Sequence, residues 1–274
     1  MFGKRRPLII TYFFFVFIIL LYFSGDSSVL KQRFDELSSG KKVSAGSEIT
    51  STRTEKILME GTSFETVLYV IESPVEGPTV MVIGGIHGNE PAGFKAADSI
   101  ATWAIDRGRL LVLPRANVPS ITVQERNAPD GPDLNRVFPG SYDNIDKTHV
   151  LAAEIFVIMA DYQPMWVIDL HEAEYCEYQF RGALGQTMIY PYEGASADII
   201  KELLIAVNRS IYSERYEFML LRGSARGSII EAAQLLGSES VIIETCEQME
   251  LDDRIRYQRQ AVSSLLYLLG ITVF

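Results

Sequence analysis

The chain has 274 residues, of which 47% are hydrophobic, and its 35 acidic side chains outnumber 25 basic ones to give a net charge of −10. Such a length predicts one domain of ordinary size plus an appendage. The charge argues against a nucleic-acid partner, because phosphate binding needs a basic face.

In chain order, Lys4, Arg5 and Arg6 precede an uncharged run from Leu8 to Phe23. Spanning helices take ~20 apolar residues and signal-peptide cores ~7–15, so this run fits either an uncleaved anchor or a removed signal. The following Ser24-Gly25-Asp26-Ser27-Ser28 lacks an Ala-x-Ala cleavage pattern, which favours a membrane anchor over residues 1–25. Positive residues stay cytoplasmic. The body of the protein is therefore expected outside the cytoplasm, anchored to the membrane or secreted if the segment is cleaved. Asp26 to Thr54 are rich in Ser, Lys, Gly and Glu, and predict a linker over residues 26–57 ahead of a folded domain over 58–274.

Within that domain, Phe64 to Glu72 alternates as a strand does, and a Pro-Val-Glu-Gly-Pro turn leads into the β-branched run Thr79 to Ile83. Glycines break this run, and Phe94 to Ile105 then shows apolar residues at helical spacing. Between them stands Gly84-Gly85-Ile86-His87-Gly88-Asn89-Glu90-Pro91-Ala92-Gly93, which places an imidazole and a carboxylate three residues apart. Zinc takes both ligand types, and catalytic zinc sites use three protein ligands plus a water. His87 and Glu90 alone also fit a helix-start carboxylate beside an unrelated histidine.

Leu110 to Leu113 supplies another strand, and a long polar loop from Arg115 to Tyr142 follows. Unstructured segments of that length inside a domain are usually functional. Helices are predicted at Thr148 to Asp161, Ser196 to Tyr212, Ser228 to Leu236 and Asp252 to Leu269. Strands at Met165 to Leu170, Thr187 to Tyr190 and Ser240 to Glu244 alternate with them, which argues for a largely parallel sheet covered on both faces. The search for a third metal ligand is short, because there are 3 histidines. His149 opens a helix and reads as a capping or surface residue. His171 ends an apolar strand, where ligands collect in open α/β sheets.

Cys176 and Cys246 follow His171 and Glu244 closely. A disulfide between them and two separately buried thiols are both open. Asn208-Arg209-Ser210 fits a glycosylation sequon. Neither a G-x-S-x-G elbow, a P-loop nor a G-x-G-x-x-G turn occurs, so serine-hydrolase and nucleotide chemistry lose their usual signatures.

The long loop carries Arg126 and then Asp130-Gly131-Pro132-Asp133-Leu134-Asn135-Arg136. Four motifs in this order, Gly-Gly-Ile-His87-Gly-Asn-Glu90-Pro, Asp133-Leu-Asn135-Arg136, Asp169-Leu-His171-Glu and Ile243-Glu244-Thr245, resemble the zinc carboxypeptidase superfamily. Within it they look most like the succinylglutamate desuccinylase/aspartoacylase branch. The resemblance implies a three-layer α/β/α sandwich with a largely parallel or mixed central sheet, preceded here by one N-terminal hydrophobic helix. It implies one Zn2+ held by His87, Glu90 and His171, with Glu244 as general base and Arg126 facing the scissile carbonyl. Asn135 and Arg136 would grip a substrate carboxylate, and Asp133 would accept the outer N–H of His87.

The implied activity is hydrolysis of an amide beside a free carboxylate, in an N-acyl amino acid. The alternatives are a metallocarboxypeptidase or cell-wall peptide amidase, and a catalytically silent ligand-binding module. Members of the branch continue into a β-rich domain after the catalytic glutamate, whereas here one amphipathic helix is predicted between Glu244 and Phe274. A more open cleft is the expectation. Arg181, Arg222 and Arg226 are candidates for holding a second acidic group, and Glu172 and Glu174 are expected to oppose a strongly anionic substrate.

Overall fold

The computed structural model describes residues 51–176, 181–191 and 197–274. The predicted anchor over residues 1–25, with its hydrophobic helix, and the linker up to residue 50 lie outside the described residues. Among the described residues no helix is long and apolar enough to cross a membrane.

Among the described residues, eight strands form one mixed sheet in the order β1-β2-β4-β3-β5-β8-β6-β7. These are β1 Thr52–Leu58, β2 Thr66–Glu72, β3 Thr79–Gly84, β4 Arg109–Leu113, β5 Trp166–Ala173, β6 Thr187–Tyr190, β7 Met219–Arg222 and β8 Glu239–Cys246. The central strands β4, β3, β5 and β8 run parallel, while β1, β2 and β6 join through antiparallel pairings. The β3, β5 and β8 sequences are buried almost throughout, which is why they read as continuous apolar runs rather than alternating ones.

The helices are α1 Pro91–Ile100, α2 Val118–Val123, α3 Lys147–Tyr162, α4 Ala197–Asn208, α5 Ile229–Leu235 and α6 Leu251–Leu268. Helices α1 and α6 pack together on one face of the sheet, and α4 leans on α6. On the other face, Leu151, Ile155 and Ile158 of α3 and Ile229, Ile230 and Ala233 of α5 join Met81, Ile83, Val167 and Ile242 in one apolar cluster. This is the three-layer α/β/α arrangement expected from the sequence.

Three local differences from the sequence expectations have physical causes. Residues 52–57, assigned to the linker, are strand β1. Among the described residues it is an edge strand paired only with β2, from Thr52↔Glu72 to Leu58↔Thr66, and with six of its seven residues exposed its composition looks like that of a linker. The opposite edge, β7, is a four-residue strand with no buried position, and its sequence lacks a strand pattern for the same reason. The Arg115 to Tyr142 loop holds structure of its own, namely α2 and a single 3-10 turn at Leu134–Arg136. Asp133 caps that turn by accepting a hydrogen bond from the Asn135 backbone at 2.8 Å.

The predicted helix from Phe94 starts earlier, at Pro91, and ends at Ile100. Proline suits the first helical turn because its missing N–H would have no partner there. Glycine at position 93 is forced, since a Cβ would sit 2.5 Å from the Leu170 carbonyl oxygen. The absent side chain lets α1 lie directly on β5.

Candidate metal centre

Parallel pairing of β3 with β5, which sets Gly84 beside Leu170, brings the loop after β3 against the end of β5. The metal-ligand candidates of both therefore meet. Gly88 permits the loop its path, because a Cβ there would lie 2.0 Å from the Ser120 backbone. Glu90 is the N-cap residue of α1 but makes no side-chain cap. Its carboxylate turns instead between two imidazoles, with His87 Nδ1 at 2.6 Å and His171 Nδ1 at 2.7 Å. All three side chains are buried, and their donor atoms lie within 4.8 Å of one another.

Each imidazole is fixed from behind. His87 Nε2 is 3.1 Å from Asp133 Oδ1, and His171 Nε2 is 2.7 Å from Asp169 Oδ2. An N–H on each Nε2 leaves the Nδ1 lone pairs turned inward, the arrangement found when a metal-binding histidine is oriented by a carboxylate. Two nitrogens and one carboxylate converging from separate elements fit zinc, with room for further ligation. Asp133 thus takes the place the resemblance implies. The motif resemblance implies no role for Asp169, yet its spacing of two residues from His171 on a strand puts both on one face.

The vacated cap of α1 is filled from another strand. Glu172 Oε2 accepts from the Ala92 backbone at 2.6 Å, its other oxygen pairs with Arg254 of α6, and its own N–H donates to Glu90 Oε2 at 3.1 Å. Glu172 is thus neutralised within a buried pair and does not act as the free anion expected from the sequence. Gln258 of α6 adds a further tie, donating through Nε2 to the His171 carbonyl at 2.8 Å and to Thr245 Oγ1 at 2.9 Å.

Charge settles within this cluster in opposite senses. Burial works to discharge His87, yet Glu90 and Asp133 raise its pKa above the ordinary value. His171 is likewise opposed by burial and lifted well above it by Asp169 and Glu90. Burial pushes Glu90 up, but His171 and His87 hold it well below the carboxylate range. Asp133 is also lowered, burial being outweighed by His87 and Arg126. Glu244 goes the other way. Burial, with the nearby Glu90 charge, pushes it up to about 7 despite the opposing pull of His171.

Glu244 stands directly beside His171 in the β5–β8 register. It is 8% exposed, and its Oε2 has no hydrogen-bond partner among the described residues. A buried acceptor so placed calls for a donor, a role that a water or a ligand fills. Glu244 and the three ligand candidates line a cavity of about 640 Å³.

Arg126, Asn135 and Arg136 line the same cavity. Arg126 grips Asp133 Oδ2 through Nε at 3.1 Å and Nη2 at 2.9 Å, and its Nη1 reaches to 3.5 Å from Glu90 Oε1. Arg136 is exposed, and its Nη1 donates to the Asn135 carbonyl at 2.7 Å. Asn135 is buried, accepting from the Ile229 backbone at 2.9 Å with its amide nitrogen 3.3 Å from His171 Nε2. Its side chain therefore joins α5 to the metal centre.

Of the candidates for a second anion site, Arg181, Arg222 and Arg226 do not line this cavity. Arg222 stacks on Tyr190 and donates to its hydroxyl. His149 does not cap α3; Asp146 does, accepting from the Thr148 backbone at 2.7 Å. The Asn208 amide pairs both ways with the Phe218 backbone, at 2.8 and 2.9 Å, so the sequon asparagine is already engaged. Cys176 and Cys246 form a disulfide.

The succinylglutamate desuccinylase/aspartoacylase catalytic domain family is matched over residues 76–267. The N-alpha-acetyl-L-2,4-diaminobutyric acid deacetylase of Halomonas elongata is 37% identical over 102 residues, an alignment covering 35% of this chain and 29% of that protein. Among solved structures, mDAP-bound Csd4 of Helicobacter pylori, a D,L-carboxypeptidase, superposes with a TM-score of 0.65 at 21% identity, covering 72% of this chain and 52% of that one. A succinylglutamate desuccinylase/aspartoacylase from Rhodobacter sphaeroides gives 0.62 at 20% identity, covering 85% and 70%. These structures share the fold. The chain spans less than a third of the curated relative it matches and about half of Csd4.

Proposed function

The chain belongs to the succinylglutamate desuccinylase/aspartoacylase catalytic domain family, and from that premise we propose that it is a zinc-dependent hydrolase cleaving an amide bond next to a free carboxylate, on N-acyl amino acids. One observation carries the reading: a His–Glu–His donor set with inward-facing Nδ1 atoms lies in one cavity with Glu244, whose buried carboxylate oxygen lacks a partner among the described residues.

His87, Glu90 and His171 would hold the ion, which when bound supplies Lewis acidity and a water acidic enough to ionise near neutral pH. Glu244 accepts the proton of the attacking water and passes it to the leaving nitrogen, a task suited to a carboxylate that burial holds above its ordinary range in the metal-free protein. Asp133 and Asp169 keep both imidazoles oriented throughout. Arg126, braced by Asp133, offers its free N–H to the developing oxyanion. Arg136 receives the substrate carboxylate, for which a planar guanidinium is shaped. Asn135 lies beside it and adds an uncharged polar wall.

Glu244→Gln tests the assignment. It is expected to abolish turnover of acyl amino acids while bound zinc stays at one equivalent; retained turnover removes Glu244 as base.

A second reading, release of the carboxy-terminal residue from a peptide, is favoured by the cavity volume of about 640 Å³, more than an acetylated amino acid requires. It uses the same residues, and parallel assays on acyl amino acids and peptides separate the two. Silence on both with zinc bound would point to a ligand-binding module. We also propose that the domain is extracytoplasmic, tethered by residues 1–25. The charge pattern of that segment and the Cys176–Cys246 disulfide support this placement.

A further inference from the structure

Helix α6 meets the sheet directly behind the metal centre. His171 of β5 and Glu244 of β8 both turn their side chains into the cavity. Successive residues of a strand alternate between its faces, so Thr245, next after Glu244, turns to the α6 side. Gln258 of α6 reaches both strands there, its Nε2 donating to the His171 carbonyl at 2.8 Å and to Thr245 Oγ1 at 2.9 Å. The Thr245 hydroxyl closes a triangle, lying 3.4 Å from the same carbonyl. Because a carbonyl only accepts, the amide nitrogen of Gln258 must be the end that faces the strands. One turn earlier on α6, Arg254 pairs with Glu172 of β5.

Gln258 is fully buried, in a stripe of α6 that continues through Ala261, Val262 and Leu265. Packing alone asks for another aliphatic side chain at this position, since a buried amide gives up its water contacts and recovers little net stability from the hydrogen bonds it makes. What the amide adds is geometric. One nitrogen holds β5 at the backbone of His171 and β8 at the residue after Glu244, across the pair that the sheet sets side by side. A general base must stand about 2.6–3.2 Å from the proton it takes, a window of about 0.6 Å. A small slide or splay of these two strand ends would carry Glu244 outside it.

Resting on the zinc-hydrolase reading, we propose that Gln258 is a positioning residue, which acts through the His171 backbone and Thr245 to hold Glu244 and His171 at the spacing the reaction needs. It does not line the cavity, and its effect reaches the reaction only through these two strands. Helix α6 is then a brace for the site as well as a cover for the sheet.

The test compares the full chain with Gln258→Met, which nearly keeps the volume and removes both hydrogen bonds, and with Leu265→Ala, which loosens the same buried stripe two turns further along. Zinc affinity is read by chelator competition, and kcat and KM on a panel of Nα-acetyl amino acids. Gln258→Met is expected to lower kcat about 10–100-fold with KM within about twofold, and to lower zinc affinity about tenfold, as when the support of a ligand is removed. Leu265→Ala leaves a cavity in the core, and should lower the melting temperature by more while kcat and zinc affinity stay near the parent. Thr245→Val removes one of the two partners at nearly constant shape and should cost about threefold in kcat. That cost should vanish on the Gln258→Met background, where the amide is gone. Parental kcat and zinc affinity in Gln258→Met, or in Thr245→Val should Gln258→Met not fold, overturn the proposal. So does an equal loss in Leu265→Ala, which would trace the effect to general loosening of the helix. A parent that binds zinc but hydrolyses no acyl amino acid or peptide refutes the hydrolase reading alone, and the zinc affinities then decide the positioning role.

Discussion

Replacing Gly93 by alanine perturbs the metal centre without touching a ligand. The new methyl group would fall 2.5 Å from the Leu170 carbonyl oxygen, where ordinary contact begins at 3.4 Å, so helix and strand must separate by about 0.9 Å. The helix has little slack on its other flank, because the Gly93 carbonyl already lies where a Cβ on Gly84 of β3 would be 2.6 Å from it. Glu90 sits immediately before α1 and His171 immediately after Leu170, so the displacement opens the carboxylate–imidazole contact of 2.7 Å. A misplacement near 1 Å costs about 10²-fold in rate, and disturbed support of a ligand costs about 10–100-fold in metal affinity. We expect Gly93→Ala to show both, with a fold destabilised by about 1–3 kcal/mol from overpacking. Zinc affinity by chelator competition, kcat/KM and thermal melting read the three effects. Lys95→Ala, at an exposed position of the same helix, is the control. Zinc affinity and kcat/KM within about twofold of the parent would refute the claim that close approach of α1 to β5 sets the ligand geometry.

Zinc affinity should rise with pH. In the metal-free protein His87 and His171 have raised pKa values, so below them protons occupy the nitrogens that zinc needs, and affinity should climb by about one to two decades per pH unit until both are neutral; calorimetry across pH 5.5–8.5 checks this, and a flat profile contradicts it. Arg254→Met strands Glu172 as a buried unpaired charge and should cost about 3–5 kcal/mol in denaturant unfolding, whereas the double change with Glu172→Gln should recover most of that. No recovery would mean that Arg254 acts through packing instead of charge. Cys176→Ser with Cys246→Ser opens a cross-link between residues 70 apart, for which loop closure predicts a loss of about 4 kcal/mol; an unchanged unfolding midpoint would show that the bridge adds nothing to stability.

The parts of this molecule legible in sequence are those whose signal is local. Strands β3, β5 and β8 are legible because burial on both faces demands uninterrupted apolar residues, and α3, α5 and α6 because one buried stripe recurs at helical spacing. The convergence of the candidate metal ligands was readable since only 3 histidines exist and two of them stand at or just past strand ends. Edge strands β1 and β7 were not, because a strand with one neighbour and exposed side chains carries no apolar pattern. Glu172 misled for another reason. Its partners, the Ala92 N–H and Arg254, lie 80 and 82 residues away, and nothing local distinguishes a carboxylate that caps a distant helix from one facing solvent. Asp169 was within reach of the alternation rule, since strand neighbours two apart share a face.

The β5–β8 register, His171 beside Glu244, has a consequence for how this chain comes to life. The two residues stand 73 positions apart in sequence and share a cavity only because parallel neighbours align to the residue. A slip of one position would turn Glu244 to the opposite face of the sheet, giving a protein with nearly the same core and no carboxylate beside His171 in its cavity. On the proposed reading such a mispaired chain would keep all three candidate metal ligands and lack its base, so correct register at the centre of the sheet is a condition for activity as well as for packing.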